Sequence, residues 1–442
     1  MLGPRTAAWI TGLGIAIGSI AGCEPPPSET NEAKGSASVL SGRWRKHSPR
    51  GGDGSALTDG QREQIEKLQS IGYVAGSAPA PADRGVVLHV RDRARAGRNF
   101  YTSGHAPEAI LMDMEGKVLH RWSKDFDEVW PDHPRADKPD AGFWRRAHLF
   151  PNGDVVAIHE GLGIVKLDRD SRVLWARDLP AHHDLDVQED GRIFVLTREA
   201  HIVPRVSPSR PILEDFVLVL DPDGNETERI SLLECFERSA PEHSWRNMSS
   251  AFWSTERRRR FADNPADIFH TNSLVVLDDR NADRVPAFAR GNLLISMCHL
   301  DTIAVVDPRE CKVLWSMNGF AMQHDPSITM DGRLVLFDNH WEPGRSSVTV
   351  LDPLTRALAW RYTGSDDRAF YSRTCGTVQS LPEGNFLVTE SDNGRAFEIT
   401  AERELVWEFL NPHRAGEDDE YIATLFEVTR LAPDFDVGWA YE

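Results

Sequence analysis

From Gly85 onward, short apolar runs rich in Val, Ile, Leu and Phe alternate with turns that carry Asp, Asn or Gly. Runs of this kind, bounded by turn residues, predict strands. One unit recurs at a period of about 50 residues: a strand, a turn, and a second strand that ends in an aliphatic residue next to Trp. It closes at Trp122, Trp175, Trp315, Trp360 and Trp407, and Glu226 to Ile230 fills a further slot without its Trp. The wider gap before Trp315 holds an insertion. Each unit also carries an earlier hairpin, turned at Asn152-Gly153, Asp190-Gly191, Asp331-Gly332 or Glu383-Gly384. Glycine allows the positive φ that tight hairpins need. Two hairpins make four strands, which is one propeller blade.

Five such units run from Phe143 to Leu410. What remains is split between Ala423 to Thr429 at one end and Ala109 to Asp113 with Val118-Leu119 at the other. A last blade built from both ends closes the ring and removes the exposed sheet edges. The expectation is an all-β, six-bladed β-propeller of four-stranded blades over residues 85–435, closed by N- and C-terminal strands. A short helical insertion is expected near 232–265.

The N-terminal part reads differently. Arg5, an uncharged apolar stretch from Ala7 to Ile20, and Ala21-Gly22-Cys23 describe a lipoprotein signal over residues 1–22, with Cys23 as the acylated residue. The apolar stretch is too short to span a bilayer comfortably. Residues 23–57, rich in Pro, Ser and Gly, read as a flexible tether. Residues 58–84 read as a short amphipathic helix and linker, with Ile65, Leu68 and Ile71 on one face and Gly72 past its end. The chain is therefore expected to be an exported lipoprotein, held to a bacterial membrane at Cys23 and facing the periplasm or the cell surface.

A net charge of −18 argues against nucleic acid as a partner, and Arg257 to Arg260 reads as a solvated helix end. Beyond Cys23 there are Cys235, Cys298, Cys311 and Cys375, for which three pairings are possible.

Aligning the repeats brings out candidate chemistry. The residue eight before the hairpin glycine is Arg145, His183, His324 or Gly376 in four units, and His270 leads into its strand in the same way. Three histidines thus stand where innermost strands begin, around one mouth of the central channel, a usual place for sites on a rigid scaffold. His159, His182 and His299 fall near the same mouth.

The segments His182-His183-Asp184, Asp267-Ile-Phe-His270-Thr-Asn272-Ser273, Gln323-His324-Asp325, and Gly376-Thr-Val-Gln379 with Asn393-Gly-Arg395 resemble the bacterial arylsulfotransferases, in order and spacing. The resemblance spans about Gly85 to Pro433. It implies an exported six-bladed propeller that moves a sulfuryl group from an aryl sulfate to a phenol, with no nucleotide donor, no cofactor and no metal. In agreement, the chain has no Gly-rich phosphate loop of the Lys-Ser/Thr kind. The resemblance further implies that His324 is the nucleophile, forming a sulfohistidine. It casts His270 and His183 as acid and base or as sulfuryl-binding groups, and Asn272 as an orienting donor. One departure stands out: the family's arginine in a Ser-Arg-His-like turn is replaced by Cys298, in Ser296-Met-Cys298-His299. Arg145 and Arg373, with His299, are the residues expected to bind the sulfuryl group instead. Two other readings stay open, a metal or redox propeller with a histidine-lined channel and a non-catalytic propeller that binds a ligand.

Overall fold

A computed structural model describes residues 78–441, apart from 137–138, 248–266, 366–367, 369, 416–417 and 420. The signal, Cys23, the tether, the amphipathic helix and Arg257 to Arg260 lie outside the described residues.

Six antiparallel sheets form a propeller. Blade I comprises Trp144–Leu149, Val155–His159, Gly163–Leu167 and Val173–Arg177, from the channel outward. Blades II to V begin with innermost strands Ala181–Val187, Thr271–Val276, His324–Ile328 and Thr377–Ser380. Blade VI takes its innermost strand, Leu425–Leu431, from the C-terminus and its outer three, Arg98–Ser103, Glu108–Met112 and Val118–Ser123, from the N-terminal side. The closure expected from the repeat is therefore present. Blade V carries an addition that the repeat did not announce, Gly85–His89 paired on Leu405–Leu410.

Apolar runs form the middle strands because each sheet is covered on both faces by its neighbours. All nine residues of Ile212–Leu220 are buried, whereas Val173–Arg177 on an outer edge is partly exposed. The core accordingly divides into one cluster per blade junction: Val156, Ile158 and Ile164 of blade I meet Ile193, Val195 and Leu218 of blade II, and Phe337 and Val348 of blade IV meet Val388 and Phe397 of blade V.

Four of the five recurring Trp residues share a task. The indole N–H donates to a turn of the next blade: Trp122 to Gly153 O, Trp175 to Pro222 O, Trp360 to Ala401 O and Trp407 to Met114 O, at 2.8–3.0 Å. An outer strand is thereby tied to its neighbour while the ring face adds apolar area. At the Trp175 contact the partner turn needs glycine, since a Cβ on Gly224 would lie 2.7 Å from the ring.

The described part of the insertion is packed rather than raised over the channel. Leu232–Glu237 forms a helix whose first turn is capped by Ser231, with Leu232, Leu233, Cys235 and Phe236 buried at the junction of blades II and III. Cys235 forms a disulfide with Cys311, 76 residues away, while Cys298 and Cys375 are free. Closing a loop of this length restricts the unfolded chain and contributes about 2–4 kcal/mol. Cys311→Ser is expected to lower the midpoint of guanidinium unfolding accordingly; an unchanged midpoint would show that packing alone holds the helix.

Candidate active site

Antiparallel pairing brings two sets of residues to one mouth of the channel: the beginnings of the innermost strands and the loops between second and third strands. Trp144 pairs with His159, and Thr271 with Met297. At this end the innermost strands of blades I, II, III, IV and VI lose register, with shifts between Trp144/Arg146, Ala181/Leu185, Thr271/Ser273, His324/Ser327 and Leu425/Glu427. A bulge inserts an unpaired residue and re-aims its side chain. Arg145, Asn272 and Phe426 are such residues, and all three line the cavity at the mouth together with His324, Asp325 and Gly376. Gly376 allows the chain to pass close to the core: its φ is +152°, and a Cβ there would lie 2.6 Å from the Phe337 ring.

Loop chemistry fixes His324. The peptide N–H groups of Ala321 and Met322 donate to Asp338 Oδ1 at 2.9 Å and Asp301 Oδ1 at 2.8 Å. His324 Nδ1 lies 2.9 Å from Met322 O and 2.7 Å from Asn339 Oδ1. A carbonyl oxygen only accepts, so Nδ1 carries the proton and Nε2 the free electron pair. Asn339 is itself held, donating to Ser372 O and Cys375 O at 2.9 Å. Burial pulls the His324 pKa down to about 3, with Arg145 and His270 adding to the effect against the Asn339 hydrogen bond.

The cavity's two arginines differ in their surroundings. Arg146 is ringed by Asp184 at 2.9 Å, Asp325 at 3.8 Å and Glu427. Burial opposes its charge, and the three carboxylates more than compensate. Arg145 has one carboxylate, Glu160, at 3.9 Å and lies 4.8 Å over the Phe426 ring. Its charge is therefore the less committed of the two.

Asp184 and Asp325 tie blade to blade, and Asp325 also lines the cavity. Asp184 accepts from Leu274 N at 2.9 Å and Asp325 from Val378 N at 2.7 Å, each joining its blade to the next. Burial raises their pKa values to about 6 and about 7, against the pull of Arg146.

His183 and His270 stand beside the cavity, with ring centroids 5.2 Å apart. Both hold left-handed backbone, φ +57° and +47°, which costs about 1–2 kcal/mol each for a non-glycine residue. His183 is buried against His182, Nδ1 to Nδ1 at 2.9 Å, and burial with Arg145 keeps its pKa well below the usual value. His270 Nδ1 is 2.8 Å from Asp267 Oδ2. Burial disfavours its charge, but the neighbouring Cys298 and the Asp267 carboxylate raise its pKa well above the usual value. Asn272 donates to Gln323 O at 2.9 Å.

His299 packs on His270, with centroids 4.4 Å apart. Arg373 is exposed, and its peptide N–H donates to Asp392; its side chain does not line the cavity. His159 is fully buried and accepts from the Trp144 indole at 2.9 Å, a core contact. Residues that sequence reasoning passed over are Arg146, Glu160, Asn339 and Phe426. Only Arg146 carried a signal, as a second arginine inside the inner strand Trp144–Leu149.

The loop that delivers His324 gives a pH test. Burial raises the Asp338 pKa to about 7 against the hydrogen bond from Ala321 N. The folded value lies above the unfolded one, so the stabilising contribution is full below about pH 4 and is lost as pH rises through about 7. Asp338→Asn does not titrate. Relative to wild type it is expected to gain roughly 2–3 kcal/mol between about pH 5 and about pH 8, read from urea unfolding at both. A constant difference would remove the assignment.

No curated protein matches the sequence. Among solved structures, a protein of unknown function from Bacteroides caccae is 11% identical, covering 72% of this chain and 94% of its own, with a TM-score of 0.46. A streptogramin B lyase is 12% identical over 81% of this chain and 95% of its own, TM-score 0.42. A virginiamycin B lyase from Staphylococcus aureus is 8% identical over 79% and 98%, TM-score 0.40. A sequence model described as Arylsulfotransferase (ASST) matches residues 146–412, more than half of the chain.

Proposed function

The chain belongs to the arylsulfotransferase family, and from that premise we propose that it moves a sulfuryl group from an aryl sulfate ester to a phenol through a sulfohistidine at His324. The observation that carries this reading is the tautomer of His324: Nδ1 is tied to Met322 O and Asn339 Oδ1, and the ring lines the cavity. Nε2 attacks sulfur, the bond from sulfur to the aryl oxygen breaks, and the donor leaves as a phenolate. The acceptor oxygen then attacks the same sulfur and the N–S bond breaks, returning His324 with its electron pair. Arg145 faces the sulfuryl oxygens, in the part that Cys298 does not play, and Asn272 helps to frame them. His270 and His183, next to the cavity, pass the proton that the donor phenolate takes up and the acceptor phenol gives up.

The low pKa of His324 supports the reading, because the nucleophile stays neutral at any ordinary pH. The test is 4-nitrophenyl sulfate with and without phenol. Nitrophenolate release should accelerate with phenol, phenyl sulfate should form in equal amount, and donor alone should leave one sulfuryl group on the peptide holding His324. Label on another residue, or no transfer across a range of aryl sulfates, would remove the mechanism.

We place this reaction outside the cytoplasm, on the strength of the signal pattern and Cys23. Radiolabelled fatty acid is expected to enter the wild type and not Cys23→Ser. Equal labelling of both would refute acylation at this residue.

A further inference from the structure

Beside the cavity, blade III gathers a second set of groups. Cys298 and His299 sit in the loop between strands Leu293–Met297 and Thr302–Asp307, and His270 immediately precedes the innermost strand. One donor atom from each of His270, Cys298 and His299 lies within 4.8 Å of the others. A single residue orients both imidazoles: Asp267 Oδ2 is 2.8 Å from His270 Nδ1, and Asp267 O is 2.9 Å from His299 Nδ1. The carbonyl can only accept, so His299 carries its proton on Nδ1 and offers Nε2. The carboxylate imposes the same choice on His270. An imidazole whose far nitrogen is tied to a carboxylate or peptide oxygen is the arrangement that surrounds metal-bound histidine. The two rings are partly exposed, so an ion can reach them, while the thiol is buried beneath.

We propose that His270 Nε2, Cys298 Sγ and His299 Nε2 form a binding site for a divalent cation of the zinc class. Two imidazoles and one thiolate leave a fourth tetrahedral position to water or a ligand. Nitrogen and sulfur donors select zinc, cobalt or copper over magnesium and calcium. Binding expels the thiol proton and any proton on the two Nε2 atoms, and the thiolate and Asp267 then balance the charge of the ion. Glu160, His182 and His183 form a second cluster of donor atoms, but Arg145 and Arg198 bear on His183 there and oppose a cation. An ion on His270 also removes an imidazole from proton transfer, so occupancy suppresses sulfuryl transfer. That consequence rests on the transferase reading; the binding does not.

Cobalt(II) is the probe, added to the purified full chain. One equivalent is expected to give a thiolate-to-cobalt absorption with the intense visible bands of a tetrahedral site. Cys298→Ser should lose the thiolate band, and Cys375→Ser should keep it. Asp267→Asn, which leaves all three ligands in place, should weaken binding about 10–100-fold. His324→Ala should bind cobalt like the wild type although it transfers nothing, so failure of one reading is visible apart from failure of the other. Zinc should quench transfer by the wild type, and a chelator should restore it. No thiolate band at stoichiometric cobalt, or a band that survives in a Cys298→Ser protein of unchanged circular dichroism, overturns the proposal.

Discussion

His324→Ala is expected to lower kcat for sulfuryl transfer by roughly 10⁴-fold or more, because no other group can carry the intermediate. Removing the ring leaves Asn339 Oδ1 without its donor, so stability should fall by about 1–3 kcal/mol with the fold retained. Loss of activity without loss of fold is the signature sought. Asn339→Ala tests the same point more gently. The Nδ1 proton would keep Met322 O as an acceptor but lose Asn339 Oδ1, and kcat should fall about 10–100-fold with KM little changed. Transfer that persists in His324→Ala would remove the sulfohistidine mechanism.

Arg145→Ala is expected to lower kcat by about 10²–10³-fold, the usual effect of deleting a donor aimed at developing negative charge. Arg145→Lys should recover only part of this, since an ammonium cannot offer the paired donors of a planar guanidinium. Its neighbour predicts the opposite phenotype. Arg146 neutralises Asp184, Asp325 and Glu427, and removing it leaves buried carboxylates uncompensated, at about 3–5 kcal/mol. Denaturation curves beside initial rates should separate the adjacent arginines. Equal stability losses in both variants would contradict the division of roles.

The ring, its count of blades and its closure were legible because they repeat: each Trp and each hairpin glycine returns at the same phase. His183, His270 and His324 were legible for the same reason. Of the three residues that bulges aim into the cavity, Arg145 followed from repeat phase and Asn272 from the family resemblance, whereas Phe426 was not legible. Alternation along a strand assigns Phe426 no special direction, and an extra unpaired residue reverses that assignment locally. Asn339 lay hidden differently, since its bond to His324 crosses a hairpin and then depends on Ser372 and Cys375 of a later loop. The role of Asp184 and Asp325 as ties between blades was hidden because it runs through peptide N–H groups of the next blade, which leave no trace in side-chain identity. Arg373, expected to bind the sulfuryl group at the mouth, is exposed to solvent.

Phe426 belongs to the strand that closes the ring, and Arg145, over which it stacks, belongs to the first complete blade. The cavity between them exists only once the closing strand has docked. Ring closure is thus a condition of the pocket as well as of shape: a protein that lacks this strand can hold five sheets and still have no pocket wall. Activity in this fold doubles as a reporter of circular integrity, and proteolysis at a single place near Leu425 would silence it without touching a reacting group.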